Sequence, residues 1–114
     1  MSMKSIKVKC WIETNGDKFY GPGPHELLQN IKAEGSLSKA AEKMQLSYRK
    51  AWDIVQQLNK HSEKPLVILR KGGKTGGGAE VTMYAKAVME AYNKLQKKLQ
   101  EVSEEEKPLI EILN

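Results

Sequence analysis

The residues that carry the most chemical information lie in one stretch, 47–60. At the helical advance of about 100° per residue, Ala51, Val55 and Leu58 share one apolar face. The opposite face mixes guanidinium, carboxylate, amide and ammonium groups, namely Arg49, Asp53, Gln56 and Lys60, flanked by Lys50, Trp52 and Gln57. Arginine binds guanine bidentately and glutamine binds adenine, so the stretch predicts a helix that presents polar groups to base edges. An ordinary solvated amphipathic helix is the alternative.

The positive charge of the chain is concentrated around this helix. The 114 residues carry a formal net charge of +5, whereas 39–74 alone holds nine bases and three acids, a net charge of +6. Each lysine or arginine that faces a phosphate releases condensed counterions, so a basic segment beside a mildly acidic remainder is typical of a polyanion-binding surface. A solvated lysine-rich face is the alternative.

Other chemistries find little support in the sequence. His25 and His61 lie in unrelated elements with no nucleophile or ligand cluster beside them, so we expect surface or helix-capping histidines and no metal. The tripeptide Gly-Lys-Thr at 73–75 is part of a phosphate-binding loop motif, but that motif needs a glycine where Ile68 stands and a helix afterwards. We therefore expect no enzyme and no cofactor.

Composition favours one small binding domain. The chain is 39% hydrophobic and 29% charged, values typical of a compact soluble domain, and its size does not favour a deep enzyme cleft. No apolar run approaches the ~20 residues of a membrane helix, and the N-terminus lacks a signal peptide, so a cytoplasmic protein is expected. The lone Cys10 predicts packing in an apolar strand and no disulfide.

The elements before the polar helix follow from short patterns. Alternation of Ile6, Val8, Cys10 and Ile12 predicts a strand, and the turn at 15–17 with a return strand at 19–20 completes an N-terminal β-hairpin.

Three helices are predicted after the hairpin. The Gly-Pro-Gly-Pro run at 21–24 places Pro24 in the first turn of a helix that Gly35 ends. Ser36 or Ser38 caps the second helix, and Ser47 caps the third. The apolar residues of the first two helices are Leu27, Leu28, Ile31, Leu37, Ala40, Ala41 and Met44.

A glycine-rich hairpin follows the third helix. Residues 66–70 and 79–82 read as short paired strands around a loop at 72–78 that has five glycines, which predicts a β-wing.

From Thr82 the pattern is helical as far as Pro108. A heptad-like seam comprises Ala85, Val88, Tyr92, Leu95, Leu99 and Val102. A helix of about 20 residues is about 30 Å long and outreaches so small a core, so we predict a homodimer held by Val88, Tyr92, Leu95, Leu99 and Val102. A helix folded wholly on its own domain is the alternative. The apolar tail, Leu109, Ile110, Ile112 and Leu113, is expected to cover the interface.

Strand, three helices, wing and long helix is the order of an α+β winged helix-turn-helix domain. Three runs carry a more specific resemblance: Gly-Pro-Gly at 21–23 with Leu27-Leu28, Gly-Ser-Leu-Ser-Lys-Ala-Ala at 35–41, and Leu-Ser-Tyr-Arg-Lys-Ala-Trp at 46–52. Together with the wing (Glu-Lys-Pro-Leu-Val at 63–67, then 72–78), they resemble the N-terminal DNA-binding domain of the molybdate-responsive ModE-type regulators, over about 6–99. LysR-type regulators are more distantly similar, because they share the Gly-Ser-x-Ser-x-Ala-Ala pattern but usually lack Ser-Tyr-x-x-Ala-Trp.

The resemblance implies the DNA-binding half of that family. It points to Ser47, Tyr48, Arg49 and Lys50 at the start of the recognition helix, and to the wing bases Arg70, Lys71 and Lys74 beside the DNA backbone. Full-length members continue into β-barrel domains that bind molybdate or tungstate. This sequence ends at Asn114 without them, so molybdate sensing is not expected of it.

The sequence thus predicts a homodimeric, sequence-specific DNA-binding transcription regulator, with a DNA-binding domain at 1–82 and a dimerisation element at 83–114. Arg49, Lys50, Asp53 and Gln56 are assigned to base edges, with orientation of Arg49 as the alternative role of Asp53. The full predicted DNA-binding set is Ser36, Ser38, Lys39, Lys43, Ser47, Tyr48, Arg49, Lys50, Asp53, Gln56, Arg70, Lys71 and Lys74. Two other functions stay open: an architectural protein that coats DNA, and a winged-helix interaction module that partners a separate sensor chain.

Overall fold

The structure, a computed structural model, describes residues 3–71 and 78–114. Its elements run β1 (Ile12–Thr14), β2 (Asp17–Tyr20), α1 (Pro22–Glu34), α2 (Leu37–Lys43), α3 (Tyr48–Lys60), β3 (Val67–Leu69), β4 (Ala79–Val81), α4 (Met83–Glu104) and α5 (Lys107–Leu113). β1 pairs with β2, and β3 with β4, both antiparallel. The predicted α+β class and the winged helix-turn-helix order are confirmed.

The helices begin and end at residues whose types favour those positions. Gly35 ends α1 in the left-handed region, at φ +67°, and donates its N–H to the Ile31 carbonyl over 2.7 Å. The Ser36 hydroxyl accepts from the Lys39 N–H at the start of α2, and the Ser47 hydroxyl from the Lys50 N–H at the start of α3. Each such cap contributes about 1 kcal/mol. Ser38, the other candidate cap of α2, lies inside that helix.

The core gathers the apolar stripes of α1, α2 and α3 beneath the second hairpin and the first half of α4. α1 packs against α2, α3 and β4. The buried side chains include Leu27, Leu28, Ile31, Leu37, Ala40, Ala51, Val55, Leu58, Leu66, Val67, Ala85, Met89 and Tyr92. Because α3 buries its narrow apolar face completely, its polar face is fixed toward solvent.

The first predicted strand is wrong over 6–11, because β1 begins only at Ile12. Ile6, Val8 and Cys10 are half-buried while Lys7 and Lys9 are exposed, so the alternation does report one inward face. Residues 6–10, here the N-terminal strap, lie antiparallel to α4 instead of joining a sheet. Period-2 alternation reveals which face of a segment is buried and leaves its hydrogen-bond partner open.

Two glutamines of α4 supply the hydrogen bonds that a neighbouring strand would make. Gln100 accepts from the Val8 N–H and donates to the Ile6 carbonyl, at 3.1 and 2.8 Å. Gln96 accepts from the Cys10 N–H at 3.2 Å and donates to the Val8 carbonyl. Residues i and i+4 of a helix rise about 6 Å, close to the length of two residues of extended chain. The spacing of the two amides therefore matches every second residue of the strap.

We expect the double substitution of Gln96 and Gln100 to leucine to release the strap. Four hydrogen bonds to the strap backbone are lost, each with a net value of about 1 kcal/mol, so the free energy of unfolding should fall by about 2 to 4 kcal/mol. Native-state hydrogen exchange should accelerate at the Val8 and Cys10 amides more than elsewhere. Gln57→Leu, at an exposed position of α3, is the matched control, and unchanged exchange at Val8 and Cys10 would contradict the ladder.

His25 corrects a second expectation, because it is 6% exposed and does not lie on the surface. A hydrogen bond of 2.6 Å joins its Nδ1 to the Tyr20 hydroxyl, and one of 2.8 Å joins its Nε2 to Asn93 Oδ1. The rings of Tyr20 and Tyr92 also lie against it. The first turn of α1 faces β2 and α4, which are distant contacts that its local sequence does not reveal. His61 lies at the C-cap of α3, as predicted.

Two buried tyrosines, Tyr20 and Tyr92, should make the stability of the fold decrease at alkaline pH. Burial raises the pKa of Tyr92 to about 12, and burial together with the Tyr92 charge raises the pKa of Tyr20 well above its usual range. Because the fold favours the neutral phenols, their contribution is complete below pH about 10. It is lost as the pH rises through about 12.

Absorbance titration should therefore show Tyr20 and Tyr92 ionising only as the protein unfolds. In Tyr92→Phe the loss of stability at alkaline pH should be smaller than in the wild type. Ionisation of both phenols near pH 10 in a folded protein would contradict this expectation.

Candidate nucleic-acid interface

The connection between α2 and α3 sets how the polar face of α3 is displayed. The connection comprises only residues 44–47, and Gln45 within it has a positive φ of 56°. The Leu46 N–H donates to the Ala41 carbonyl over 2.9 Å, which ties the turn back to α2. Ala51, Val55 and Leu58 are at most 1% exposed. The two helices therefore form the compact helix-turn-helix pair that the sequence predicts.

The side chain of Asn59 joins α3 to the second hairpin. Its Oδ1 accepts from the backbone N–H groups of Leu66 and Val67, at 2.8 and 3.2 Å, and its Nδ2 donates to the Val67 carbonyl at 2.9 Å. This residue was missed in the sequence, where it is one polar position at the margin of an apolar face. Its contacts fix the hairpin relative to the helix that carries Arg49.

The base of the second hairpin (β3 and β4), which is the predicted wing, is also hydrogen-bonded to Gly35 just before α2. The Ala79 N–H donates to the Gly35 carbonyl over 2.9 Å, and the Arg70 N–H donates to the Gly78 carbonyl over 2.8 Å. At the other end, the Thr82 hydroxyl donates to the Pro65 carbonyl and accepts from the Ala85 N–H that begins α4. Hairpin, helix pair and long helix are therefore held together by short hydrogen bonds.

These ties bring three predicted elements to one groove. A cavity of about 150 Å³ is lined by Ser36, Leu37, Ser38, Tyr48, Leu69, Arg70 and Gly78. It lies where the start of α2, the start of α3 and the base of the wing meet. Its lining combines hydroxyl groups (Ser36, Ser38 and Tyr48) with one guanidinium (Arg70), side chains of the types that bind phosphate and sugar in protein–DNA complexes.

Nine of the thirteen predicted DNA-binding residues are exposed in the part of the chain that the structure describes. Ser38, Lys39, Lys43, Ser47, Tyr48, Arg49, Lys50, Arg70 and Lys71 are exposed, whereas Ser36, Asp53 and Gln56 are half-buried. Lys74, the remaining predicted wing base, lies outside the described residues. Lys39 and Lys50 lie three residues after the capping residues Ser36 and Ser47, so each lysine lies in the first turn of its helix.

Three of the predicted bases, Lys43, Arg70 and Arg49, form ion pairs with acids. Lys43 Nζ lies 2.6 Å from Glu34 Oε1, and Arg70 Nη2 lies 2.6 Å from Glu80 Oε2. A hydrogen bond from the Lys43 ammonium lowers the pKa of the Glu34 carboxyl. The Arg70–Glu80 pair is exposed and the Lys43–Glu34 pair is partly exposed. Ion pairs open to solvent are weak, so a phosphate can replace the acid. Within 3–71 and 78–114, Lys39, Lys50 and Lys71 form no ion pair.

Arg49 contacts two side chains of its own helix, those of Trp52 and Asp53. Its Nε lies 3.3 Å from Asp53 Oδ1, and its Cζ lies 5.1 Å from the centroid of the Trp52 ring. Of the two roles predicted for Asp53, the contact with Arg49 is the one present in the unbound chain. Trp52, expected to flank the polar face, packs partly against the core.

The seam of α4 divides into a buried and an exposed part. Ala85 and Tyr92 are buried within this chain, Val88 and Leu99 are half-buried, and Leu95 and Val102 are 46% and 58% exposed. On α5, the exposed apolar residues are Leu109, Ile112 and Leu113. The far half of α4 and the tail thus leave apolar side chains accessible.

Two other site classes, a metal centre and a membrane-spanning helix, are absent from the described residues. Across 3–71 and 78–114, no cluster of three or more His, Cys, Asp or Glu side chains could hold a metal ion. Nor does any helix in those ranges have the length and apolar character needed to span a membrane.

Comparison with known proteins agrees with the motifs. No family model matches the chain. It is 35% identical over 95 residues to the transcriptional regulator ModE of Haemophilus influenzae, covering 83% of this chain and 37% of that protein. It is 39% identical over 77 residues to the DNA-binding transcriptional dual regulator ModE of Escherichia coli K12, covering 68% and 29%. A third relative, the molybdenum-pterin-binding protein MopA of Rhodobacter capsulatus, is 41% identical over 70 residues, covering 61% and 26%.

The matches span only about a quarter to two-fifths of the length of these relatives. Within that span, they confirm the resemblance predicted from the three motif runs. The chain is therefore a homologue of the ModE transcriptional regulators, over a region that corresponds to a ModE-type N-terminal DNA-binding domain.

Proposed function

We propose that this chain binds double-stranded DNA in a sequence-specific way and regulates transcription as a homodimer. The observation that carries the proposal is the groove where the starts of α2 and α3 meet the base of the wing. Arg70 lines it, and the exposed bases Lys39 and Arg49 directly follow its lining residues Ser38 and Tyr48, within the segment that holds a net charge of +6. The regulators named ModE are relatives over the same region.

The groove suggests how the duplex is held. α3 enters the major groove with its N-terminus first, while α2 crosses the backbone. Lys39 and Lys43 contact phosphates, and Tyr48 contacts a phosphate or a thymine methyl group. Arg49, Lys50 and Gln56 reach base edges. Ser36, Ser38 and Ser47 line the backbone path, and Arg70, Lys71 and Lys74 place wing charge beside it.

The apolar stripe of α4 supplies the dimer contact. Leu95, Leu99 and Val102 of two copies pack together, with Val88 at the margin and Tyr92 supporting the stripe from the core of its own chain. The 22 residues of α4 span about 33 Å. Residues 1–82 then act as the DNA-binding unit and 83–114 as the dimerisation element. Two copies address inverted half-sites about 34 Å apart, or a multiple of that distance.

The proposal describes a regulator in the cytoplasm rather than an enzyme. Its test is selection from random duplexes about three helical turns long, with equilibrium binding of the enriched and shuffled sequences at two salt concentrations. An inverted repeat preferred by about 10³ or more is the expected result, with a sedimentation mass twice 12.8 kDa. Equal, salt-dependent binding to all duplexes would indicate an architectural protein. Absence of binding would favour the interaction module.

A further inference from the structure

We propose that Trp52 is a positioning residue that determines sequence specificity by holding Arg49 for end-on contact with a guanine. The inference rests on the proposed function and adds to it a role for a residue outside the predicted DNA-binding set. It starts from one guanidinium that two neighbours on α3 hold at once, Trp52 by its ring and Asp53 by its carboxylate.

The helix geometry brings these three side chains together. Trp52 follows Arg49 by three residues and Asp53 follows it by four, the two spacings at which helix side chains meet. The guanidinium carbon lies 5.1 Å from the Trp52 ring centroid, within the 6 Å or so of a cation–π contact. Trp52 itself packs partly against the core, so its ring is a fixed support.

The atom that meets Asp53 decides which donors are left. Arg49 approaches Oδ1 of Asp53 through Nε, at 3.3 Å. Arginine has five N–H donors, and the other four lie on the two Nη atoms at the end of the fork. A guanine offers O6 and N7 as paired acceptors in the major groove. Because Nε is the atom nearest to Asp53, the N–H groups of the two Nη atoms are the set available for both acceptors.

Holding the guanidinium in the free protein favours discrimination. An arginine with many rotamers reaches phosphates and several bases alike, whereas one already placed loses less conformational freedom when it binds its base. The side chain of Arg49 is 80% exposed, so solvent does not restrain it. Trp52 and Asp53 are the groups that contact it. The exposed ion pair is weak by itself, so the ring contact supplies most of the restriction, and removing it should lower guanine preference more than overall affinity.

The test is a double-mutant cycle read by selection from random duplexes. Trp52→Leu and Trp52→Phe are compared with the wild type, each with Arg49 and with Arg49→Ala. Removing the ring contact should lower the preference for the guanine by about twofold to fivefold, with Phe intermediate. In the Arg49→Ala background, the Trp52 substitutions should have no effect at that position. Melting curves check the fold, and if the Leu variants do not fold, the Phe variants complete the cycle.

Trp11 provides a matched control. It holds Lys18 Nζ 4.5 Å from its ring in a second cation–π pair, on the N-terminal hairpin. Trp11→Phe should leave the selected motif unchanged. Asp53→Asn adds a test with opposite signs: lower guanine preference, yet tighter binding to every duplex, because a negative charge near phosphates is removed.

The outcomes separate this inference from the function beneath it. If the wild type enriches no sequence, the proposed function fails, and this inference fails with it. If it enriches a motif that Trp52→Leu and Trp52→Phe reproduce fully, the function stands and the role of Trp52 is refuted. The same refutation follows if the Trp52 substitutions change the motif equally with and without Arg49, because the ring then acts through the fold.

Discussion

Replacing Asn59 by alanine should lower the free energy of unfolding by about 2 to 4 kcal/mol. The substitution removes three hydrogen bonds and leaves the N–H groups of Leu66 and Val67 without partners. Those two residues are 1% and 2% exposed, and an unpaired buried donor costs about 1 to 3 kcal/mol. Urea denaturation measures the change, as a lower midpoint at constant m.

Two further variants sharpen this test. Asn59→Asp keeps the acceptors but loses the donor to the Val67 carbonyl, so its loss of stability should be intermediate. Asn30→Ala is the matched control, because Asn30 lies in α1 and its side chain makes no hydrogen bond to any residue within 3–71 and 78–114. Stability of Asn59→Ala within about 0.5 kcal/mol of the wild type, the usual range for surface changes, would contradict the coupling of α3 to the wing.

Replacing Arg49 by alanine should relax base preference without abolishing binding. A bidentate arginine–guanine contact provides about 1 to 3 kcal/mol of discrimination, or roughly 5-fold to 150-fold. The phosphate contacts of the other bases remain, so binding to shuffled duplexes should fall far less. Competition between the selected duplex and its single-base variants measures the difference.

Lys71→Ala is the comparison for Arg49→Ala. Lys71 is exposed beside the wing and forms no ion pair among the described residues. Its loss should weaken all duplexes by a similar factor and reduce the salt slope by about one. If Arg49→Ala and Lys71→Ala alter every duplex alike, Arg49 does not read bases.

Local chemistry was enough to predict where α1 ends and where α2 and α3 begin, whereas the helix expected as far as Pro108 ends at Glu104 and α5 begins at Lys107. A serine hydroxyl satisfies an N–H three residues onward, and Gly35 adopts a left-handed conformation that residues with side chains avoid. The apolar stripe of α3 likewise followed from helical periodicity, since Ala51, Val55 and Leu58 repeat at one face. These features depend on residues within one or two turns of each other.

Contacts between distant residues explain what sequence reasoning missed. The N-terminal strap looked like a strand because its inward face alternates, while its partners are side-chain amides about 90 residues away. His25 looked like a surface residue because the tyrosine and asparagine around it come from β2 and α4. Asn59 showed no motif at all. In each case the deciding hydrogen bond forms only when separate elements pack.

The most direct test of the central claim is a nuclear magnetic resonance titration of the ¹⁵N-labelled protein with a selected duplex. The groove between α2, α3 and the wing predicts the largest shifts at the amides of Ser36, Ser38, Tyr48, Arg70 and Gly78, with those of α5 little changed. Shifts concentrated on the N-terminal strap and α4, with the groove unaffected, would contradict the account.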